Sequence, residues 1–477
     1  MNNFNIKNLI FQEKDVEIIT DEIKKINEVD YYIITVKSKD FKLPITCPRC
    51  GSKANFERKD YYFRTIRELK IHNINVIIRY KQARLRCKEC KKGINEILDF
   101  VKPSSRTTIK LDKEIHEQLS LGSSMTQVSI NTGVSITTVE NKIINNVEVN
   151  RSKLTECLCF DEFSGPAFFS KYAFIIVDPY KSEIIDIVPS NKQNYLFNYF
   201  KKIPLEEREN VKYIVTDLTN NYKAAIKYFF PKAIHIADRY HWIRIVIDAV
   251  QDLRIKTMKF HLNAAYNIAK TYAKDETAIE RAAKESDDYK IYYILKRNYK
   301  LLSYNTFDNN YETYLSNLGK MYNKKTPYTN QELLEFILNH DKDLEEAYSF
   351  LQKFYKIAYT ATIEDARKKI NEWINEIKKS NKYIGNLRNA ALTIESWITP
   401  IVNSFRIDDK KIGLLSNGPC EAKNNCNKTI IKAGYGYKDP YLLRKLILLE
   451  DRERTDRRNS KKEKQYNNYI KKAALTA

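Results

Sequence analysis

The sequence predicts a multidomain α/β protein, and three observations lead to this fold class. In residues 151–245, short apolar runs of strand length alternate with segments of helical spacing, as in an open sheet covered by helices. In residues 246–390, apolar side chains recur almost only at helical spacing, which predicts a large all-helical segment. Upstream, two Cys-x-x-Cys pairs and a pair of short helices around a glycine predict small N-terminal modules.

Five strands and two helices are predicted in the sheet segment. In chain order, the strands are residues 157–160, 172–177, 184–188, 211–216 and 233–237, and the helices are residues 193–202 and 222–230. From Arg239 onward, apolar residues recur at helical spacing, so we expect the chain to leave the sheet on a long amphipathic helix. The apolar stripes at residues 344–358 and 363–377 are interpreted as packing surfaces and not as cofactor sites.

Three acids stand where this sheet would gather side chains. Asp161 follows the first strand and Asp217 follows the fourth, while Glu421 lies in a downstream segment in which Ser416 is expected to cap a helix. An open α/β sheet builds its site at the carboxyl ends of its strands. Carboxylates that meet there repel one another, and hard oxygen ligands suit Mg²⁺ or Mn²⁺. The pattern predicts a divalent-cation site held by these three acids.

Asp238, at the end of the fifth strand, competes with Asp217 for the place of the second acid. Together with His241, Asp238 could orient a substrate strand or hold a water, or it could simply cap the helix that begins there. Glu162 alternates with Asp161 along the first strand, so its side chain is expected to point away from Asp161, as a surface or salt-bridging residue.

Two polar residues follow Glu421 at helical spacing. Asn424 and Lys428 would lie one and two turns beyond the glutamate, on the same face of its helix. From there they could contact backbone phosphates of a nucleic acid.

Four cysteines form two closely spaced pairs, Cys47 with Cys50 and Cys87 with Cys90. Each pair can place two thiolates on one ion at a Zn–S distance of ~2.3 Å, and two pairs fill a tetrahedron with no open position. The spacing therefore predicts a structural Zn²⁺ in a zinc ribbon, and the competing interpretation is four unligated cysteines.

The segment between the cysteine pairs is predicted to form two strands, at residues 61–67 and 75–86. Alternation along these strands is expected to expose a row of basic side chains. This row consists of Arg64, Arg67, Arg79, Lys81, Arg84 and Arg86. Whether the row contacts DNA or only solvent stays open at this stage.

Residues 125–140 predict a helix-turn-helix. Gly133 stands where the turn needs a positive φ, and Ser135 can cap the second helix. Val128, Val134, Val139 and Ile143 would pack the two helices together. The residues expected to face a DNA major groove are Thr137, Thr138, Asn141, Lys142 and Asn145. The competing interpretation is an ordinary helical hairpin.

The charge of the chain points to a polyanionic partner. The formal net charge is +22 at pH 7, and residues 41–110 hold 18 Lys and Arg against 6 Asp and Glu. Such an excess favours binding to phosphates, although a general enrichment in lysine is the alternative. The chain shows neither a membrane-length apolar run nor a signal-peptide pattern, so we expect a cytoplasmic protein with no membrane partner. Its cysteines are then expected to be reduced.

Taken in order, these motifs resemble the DDE-type insertion-sequence transposases of the ISL-three group, over roughly residues 40–450. The marks are the paired Cys-x-x-Cys finger and the helix-turn-helix, followed by four short segments. These segments are Phe160-Asp161-Glu162-Phe163, Thr216-Asp217, Asp238-Arg239-Tyr240-His241 and Ser416-Asn417-Gly418-x-x-Glu421-x-x-Asn424-Asn425. Each mark is weak alone, and their order makes the resemblance specific. Ala422 departs from the family pattern, in which a glycine commonly follows the glutamate.

The resemblance implies an RNase H-like catalytic core that is interrupted by the all-helical segment. The family's order of elements favours Asp217 as the second acid, so the implied catalytic triad is Asp161, Asp217 and Glu421 with Mg²⁺ or Mn²⁺. The implied activity is binding of the terminal inverted repeats of an insertion sequence, followed by DNA strand cleavage and strand transfer. Double-stranded DNA would be the partner, a homodimer or larger assembly would act on it, and the protein would be nucleoid-associated. The alternative is a catalytically inactive, domesticated DNA-binding regulator.

Seven segments are predicted along the chain. They are an N-terminal segment (1–40), the zinc ribbon (41–102), the helix-turn-helix (103–150), the first part of the core (151–245), the helical insertion (246–390), the last part of the core with the Glu421 helix (391–450) and a basic tail (451–477). The tail alternates charges and is expected to be a frayed helix or disordered.

Overall fold

A computed structural model describes residues 16–476 of the chain, apart from residues 40–41, 54, 147, 321–326, 409–412 and 435. Residues 1–15 of the predicted N-terminal segment lie outside the described part. The described residues divide into two compact units. The ribbon unit holds the residues up to Arg151, Ser164–Tyr172 and those from Asn425 onward, and the sheet unit holds Ser152–Phe163 and Ala173–Asn424.

The ribbon unit is built on a five-stranded sheet. Its strands are β1 (Val16–Ile26), β2 (Val29–Ser38), β3 (Phe56–Ile71), β4 (Ile74–Cys87) and β5 (Gly93–Asn95), in the order β1-β2-β4-β3 with β5 beside β4. The two strands predicted between the cysteine pairs lie within β3 and β4. His72 and Asn73, both at positive φ, form the tight turn that joins them.

Three short helices follow this sheet, namely α1 (Ile109–Ser120), α2 (Met125–Thr132) and α3 (Ile136–Asn146). Gly133 has a φ of 74° and ends α2 in the left-handed region, as the turn requires. The backbone N–H of Thr138 donates to Ser135 Oγ at 3.2 Å, which caps α3. The four apolar residues expected between the helices, Val128, Val134, Val139 and Ile143, are buried.

The sheet unit begins with the five predicted strands and their helices. The strands are β6 (Cys157–Ser164), β7 (Tyr172–Asp178), β8 (Glu183–Val188), β9 (Tyr213–Thr216) and β10 (Ile234–Ala237). The helices among them are α4 (Gln193–Lys201), α5 (Leu205–Glu209) and α6 (Asn220–Phe229). Phe160 sits at the centre of an aromatic core and contacts Phe174, Phe200, Tyr222 and Phe230. This apolar core explains why the uninterrupted hydrophobic runs form buried strands.

The strand order of this sheet is β10-β9-β6-β7-β8. Strand β9 runs parallel to both of its neighbours, β6 and β10, whereas β7 and β8 are antiparallel. The register pairs Thr216 with Phe160 on one side and with Ala237 on the other. The residues that come next therefore lie side by side: Asp161 within β6, Asp217 directly after β9 and Asp238 directly after β10.

A long series of helices follows β10. It consists of α7 (Arg239–Tyr272), α8 (Glu276–Glu285), α9 (Asp287–Arg297), α10 (Tyr311–Ser316), α11 (Asn330–His340), α12 (Lys342–Thr360), α13 (Ala366–Lys379), α14 (Leu387–Ser396) and α15 (Ile398–Asn403). The predicted stripes on α12 and α13 lie in one hydrophobic core with Trp242, Val246 and Leu253 of α7. These stripes are therefore packing surfaces, as predicted. The helical series continues past residue 390, where the predicted insertion ends.

The chain ends with two short strands and two helices. These are β11 (Ile407–Asp408), β12 (Gly413–Leu414), α16 (Gly418–Ala433) and α17 (Pro440–Thr476). Helix α17 passes through the predicted boundary at residue 450 without a break, because Leu443, Leu446 and Ile447 bury its first turns and Glu453 pairs with Arg457 further on. Of the two expectations for the tail, the helix is the one found. Among the described residues, no helix is long and apolar enough to span a bilayer.

Candidate active site

The three neighbouring aspartates differ in how they are held. Asp161 lies within β6 and is 8% exposed, whereas Asp217 directly follows β9. Asp238 follows β10, is 4% exposed and occupies the position before α7. Its side chain makes no capping hydrogen bond, so the expectation that Asp238 caps this helix is wrong. Its carboxylate accepts instead from the backbone N–H of Asn417 at 2.9 Å.

His241 lies at the centre of the acids. Its Nε2 atom is 3.1 Å from Asp217 Oδ1, 3.7 Å from Glu421 Oε1 and 4.0 Å from Asp238 Oδ2. The first turn of α7 carries His241 three residues beyond Asp238, so both project toward the same edge of the sheet. The glutamate from far downstream thus meets the aspartates of the sheet at this imidazole.

Helix α16 brings Glu421 to the cluster. Its first backbone hydrogen bonds run from Cys420 N and Glu421 N to Asn417 O, so Asn417 and not Ser416 holds the cap position. The expectation for Ser416 fails because the helix starts one residue later, and the Ser416 carbonyl accepts from Cys159 Sγ. The Glu421 side chain is 53% exposed, which leaves its carboxylate open to solvent or to a ligand.

Two buried asparagines tie this helix to the strands. Asn417, which is fully buried, donates through Nδ2 to Asp217 Oδ1 at 3.2 Å and to Phe160 O at 3.3 Å. Asn424 donates through Nδ2 to Asp161 Oδ2 at 2.8 Å. The role of Asn417 was not among the predictions from sequence, and Asn424 was predicted to contact phosphate. The signal that could have revealed both roles is the spacing of two amide side chains, one at the helix cap and one two turns further on, so that each can donate to an acid.

Burial and mutual repulsion raise the pKa of two of the acids. The pKa of Asp161 is raised to about 7, first by burial and then by the charge of Asp217. The pKa of Asp217 is also raised to about 7 by burial and by the charges of Asp238, Glu421 and Glu162, against a hydrogen bond from Asn417 that lowers it. A cation at this edge would relieve that repulsion.

Glu162, expected to be a surface or salt-bridging residue, is half-buried and held by hydrogen bonds. Its carboxylate accepts from Asn191 Nδ2 at 2.6 Å and from the Tyr222 hydroxyl at 3.2 Å. Helix α6 covers this face of the sheet, so the side chain that turns away from Asp161 still meets protein. Its charge contributes to the raised pKa of Asp161.

The donor atoms fit a divalent cation. Among the described residues, Asp217, Asp238 and His241 each offer one ligand atom, and these atoms lie within 4.8 Å of one another. Asp161 and Glu421 are not members of this group: Asp161 accepts from Asn424 Nδ2, and Glu421 Oε1 lies 3.7 Å from His241 Nε2. The group shares only Asp217 with the predicted triad, and it holds Asp238 and an imidazole where the prediction has Asp161 and Glu421. An imidazole is a ligand that Mn²⁺ accepts more readily than Mg²⁺ does.

The four paired cysteines form a second cluster, in the ribbon unit. The Sγ atoms of Cys47 and Cys90 are 3.8 Å apart, and those of Cys50 and Cys87 are 4.0 Å apart. A tetrahedron with Zn–S bonds of ~2.3 Å has edges of ~3.8 Å, so the sulfur positions fit one Zn²⁺. All four ligand atoms lie within 4.8 Å of one another, which supports the predicted structural site.

The predicted basic row on β3 and β4 is only partly exposed. Arg79, Arg84 and Arg86 are exposed, and Arg79 and Arg84 lie over the rings of Phe63 and Tyr62. Two members of the row turn inward, contrary to expectation. The guanidinium of Arg64 donates to the carbonyls of Lys102 and Ser105, and that of Arg67 donates to Gly133 O at 3.4 Å. These carbonyls belong to residues 38 to 66 positions further along the chain, which strand alternation alone does not reveal.

Only some of the α3 residues that were predicted to face a DNA major groove are exposed. Thr137 and Asn141 are exposed, and Thr138 is half-buried with its hydroxyl 2.9 Å from Ser135 Oγ. Lys142 does not face outward, because its Nζ atom lies 2.8 Å from Asp112 Oδ1 and the side chain is 16% exposed. The side chain of Asn145 lies outside the described residues.

Lys428, which was predicted to contact backbone phosphates, is exposed on α16 in the ribbon unit. It lines a small cleft with Lys171 and Lys432, so its surroundings are basic.

Comparison with known proteins assigns the chain to a family. A family model described as transposase, of the ISL3 DDE type, matches residues 158–447, which is more than half of the chain. A second model, described as the zinc-finger of transposase IS204/IS1001/IS1096/IS1165, matches residues 43–90 and includes all four clustered cysteines.

A curated relative agrees with both models. The chain is similar to the protein named "Transposase for insertion sequence element IS1001" from Bordetella parapertussis, with 26% identity over 214 residues. The alignment covers 43% of this chain and 52% of the relative, so the chain spans about half the length of that protein. With the acid cluster, the cysteine cluster and two matching family models, the chain belongs to the ISL3 family of transposases, whose zinc-ribbon segment it also carries.

Proposed function

We propose that this chain is an active DDE transposase, which binds the terminal inverted repeats of its insertion sequence and catalyses metal-dependent DNA strand cleavage and strand transfer. The observation that carries the proposal is the convergence of the acids. Glu421 meets Asp217 at His241, and Asn424 of the same helix binds Asp161, which lies 263 positions upstream. A purely structural use of these acids gives no reason to crowd carboxylates whose pKa values are raised by their neighbours.

The proposed roles follow from the contacts. Asp161, Asp217 and Glu421 would hold the Mg²⁺ or Mn²⁺ ions, with Asp238 beside Asp217. When bound, such ions lower the pKa of an attacking water and stabilise the leaving oxygen of the phosphodiester. Asn417 and Asn424 fix the orientation of Asp217 and Asp161 through their amide hydrogen bonds. His241 is positioned to hold a proton or to join the ligands, since its Nε2 atom is within 4.0 Å of three carboxylates.

The architecture supports the implied RNase H-like core. Three of its five strands run in parallel and deliver Asp161, Asp217 and Asp238 to one edge, and antiparallel β7 and β8 complete the sheet. The helical series from α7 to α15 stands between β10 and the Glu421 helix, as an insertion in such a core would.

DNA recognition is proposed for the ribbon unit. The exposed Arg79, Arg84 and Arg86 offer phosphate contacts on the sheet, and Thr137 and Asn141 on α3 are free to reach base edges as in a helix-turn-helix. A zinc ion on the four cysteines would fix the ribbon. Because two DNA ends must be joined, we expect a homodimer or larger assembly on the DNA, at the nucleoid.

The test uses purified full-length protein and labelled DNA that carries the inverted repeats flanking the gene. We expect nicking with Mg²⁺ or Mn²⁺, and we expect Asp161→Asn, Asp217→Asn and Glu421→Gln each to abolish it while leaving binding intact. Glu280→Gln, at an exposed carboxylate on α8, is the matched control and should cut normally. Binding without cutting under every metal condition would favour the inactive DNA-binding regulator.

A further inference from the structure

The helical part of the sheet unit contains a large cleft beside the acid cluster. Its volume is about 1280 Å³, and it is lined by the first turns of α7, the end of α12 and the loops that follow α9, α12 and α15. Arg239 and Tyr240 line this cleft, and they are the two residues between Asp238 and His241. The ring of Tyr240 also meets the imidazole of His241, with centroids 5.4 Å apart. The cleft and the acid cluster therefore share the start of one helix.

Aromatic rings line the cleft from several elements. They belong to Tyr240, Tyr304, Tyr355, Tyr359 and Phe405. Tyr240 is 58% exposed and Tyr359 is 53% exposed, so large parts of both rings are open to a ligand. The Tyr240 hydroxyl accepts from Arg244 Nη1 at 2.7 Å, which fixes the ring. Rings held in this way bind nucleobases by stacking, because every base has a π-face.

The cleft also presents cations that have no acidic partner among the described residues. The Arg239 guanidinium lies 5.2–5.8 Å from the ring centroids of Phe405, Tyr359 and Trp242, and within the described chain it has no carboxylate partner. Burial lowers the pKa of Arg239. The Nε atom of Arg406 is buried and has no hydrogen-bond partner among the described residues. Burying unpaired donors of this kind is costly, and an anionic ligand would offset the cost.

The balance of the lining favours an anion. Lys300 joins Arg239 and Arg406 as a third cation, against the two carboxylates Asp308 and Glu364. Asp308 is already engaged, because its Oδ1 accepts from the backbone N–H of Asn310 at 2.8 Å. The volume exceeds the ~300–1,000 Å³ of ordinary small-molecule pockets, so a stretch of polymer fits better than a single small ligand.

We propose that this cleft holds unpaired nucleotides of the DNA substrate, adjoining the strand that is cut at the acid cluster. The inference rests on the proposed function and adds to it a site for extruded or single-stranded DNA. Opening a base pair costs a few kcal/mol. Stacking on exposed rings returns roughly 1–3 kcal/mol for each base, and the arginines would neutralise the accompanying phosphates.

The experiment compares two DNAs of the same arbitrary sequence, one fully paired and one with an unpaired tail of about six nucleotides. Binding to the full-length protein is measured by anisotropy with Ca²⁺ in place of Mg²⁺. Tyr240→Ala and Tyr359→Ala are each expected to weaken binding of the tailed DNA roughly tenfold, as the loss of one stacking contact implies, and to leave the paired DNA unchanged. Tyr272→Ala is the matched control, because Tyr272 is 63% exposed at the far end of α7 and outside the cleft.

A second measurement uses the unaltered protein, so it does not depend on how the variants fold. A 4-thiothymidine in the tail should crosslink to peptides that contain Tyr240 or Tyr359, and the same base in paired DNA should not. Equal effects on both DNAs, crosslinks elsewhere only, or equally strong competition by a free mononucleotide would each overturn the proposal. If wild-type protein cuts repeat DNA while any of these results is obtained, only the cleft proposal fails. If it neither binds nor cuts that DNA, the proposed function itself fails.

Discussion

Two asparagine amides hold two acids of the candidate site by hydrogen bonds. Asn417 joins Asp217 to the carbonyl of Phe160, and Asn424 joins Asp161 to the carbonyl of Glu162. Strand ends identify the acids from sequence, because an open sheet gathers them there. The partners of the amides depend on how α16 is rotated against the sheet, and a sequence pattern does not contain that rotation.

The bond from Asn424 to Asp161 can be tested with one substitution. In Asn424→Ala, a charged hydrogen bond of roughly 1.5–3 kcal/mol is lost. We expect DNA cutting to fall about 10- to 100-fold with little change in DNA affinity, as measured by nicking kinetics and anisotropy. Asn425→Ala, at the exposed neighbouring position, should behave like wild type. Equal rates in both variants would contradict a positioning role for Asn424.

The raised pKa values of Asp161 and Asp217 predict how stability depends on pH. Both groups lie near pKa 7 in the folded chain against 3.8 ordinarily, so the folded state binds protons more tightly. Stability contributed by these protons is present at low pH and is lost as pH rises from about 4 to about 7. We expect metal-free protein to melt at a lower temperature at pH 8 than at pH 5.

Two comparisons isolate this effect from other titrating groups. Asp217→Asn should flatten the pH dependence of the melting temperature, because it removes one of the two crowded carboxylates. Mn²⁺ should stabilise wild-type protein more at pH 8 than at pH 5, since the acids are then ionised and free to bind it. A profile that is identical in wild type and Asp217→Asn would refute the crowding argument.

At the scale of elements, periodicity predicted the strands and helices well and their exposed faces less well. The five strands of the sheet unit and the α2–α3 turn lie where spacing indicated. The inward turn of Arg64 and Lys142 depends on partners about 40 and 30 positions away, at Ser105 and Asp112. Alternation assigns a side chain to a face of its own element, and packing with a remote segment decides whether that face stays open.

The cysteine cluster predicts one tightly bound zinc for each chain. Cys87→Ser should lose the zinc and destabilise the sheet from β1 to β5, because a structural site contributes its binding free energy to folding. Metal analysis and hydrogen exchange would measure the two effects. Cys426→Ser is the control, since Cys426 lies outside the cluster, and it should retain the metal. A zinc content that is unchanged in Cys87→Ser would exclude the site.

The turn before α3 requires a glycine at position 133. A Cβ at Gly133 would lie 1.9 Å from Asn75 Oδ1, and the φ of 74° is strained for any other residue. We expect Gly133→Ala to cost at least about 1–3 kcal/mol and to weaken DNA binding, which melting and anisotropy would measure. Gly93→Ala, where the nearest atom is 3.9 Å away, should be tolerated. A stable Gly133→Ala protein with full DNA affinity would contradict this account of the turn.

At the scale of the whole molecule, the polyanionic partner that composition indicates stays a prediction, and order along the chain did not predict which parts fold together. Residues from Asn425 onward belong to the ribbon unit, although the sequence predicts that residues up to 450 belong to the core. Helix α17 explains the difference, because Leu443 and Leu446 bury against the ribbon unit in which α1 and α3 lie. The apolar residues of α17 predict that one face is buried, but they do not indicate which part of the chain that face packs against.

The net charge of +22 predicts steeply salt-dependent DNA binding. If 6–10 phosphates are contacted, affinity should fall roughly 10³- to 10⁵-fold between about 50 and 200 mM salt. Anisotropy titrations measure this slope, and joint replacement of Arg79, Arg84 and Arg86 by alanine should reduce it by about three. A slope that the triple variant leaves unchanged would mean that these arginines do not contact DNA.

The bond between Asp161 and Asn424 has a further consequence for the cell, because it spans 263 positions. A ribosome must add almost the whole intervening polypeptide before the last acid emerges. Under the proposed function, every prematurely terminated or proteolysed fragment that stops short of α16 lacks Glu421. Such a fragment cannot cut DNA, even if its zinc ribbon already binds DNA.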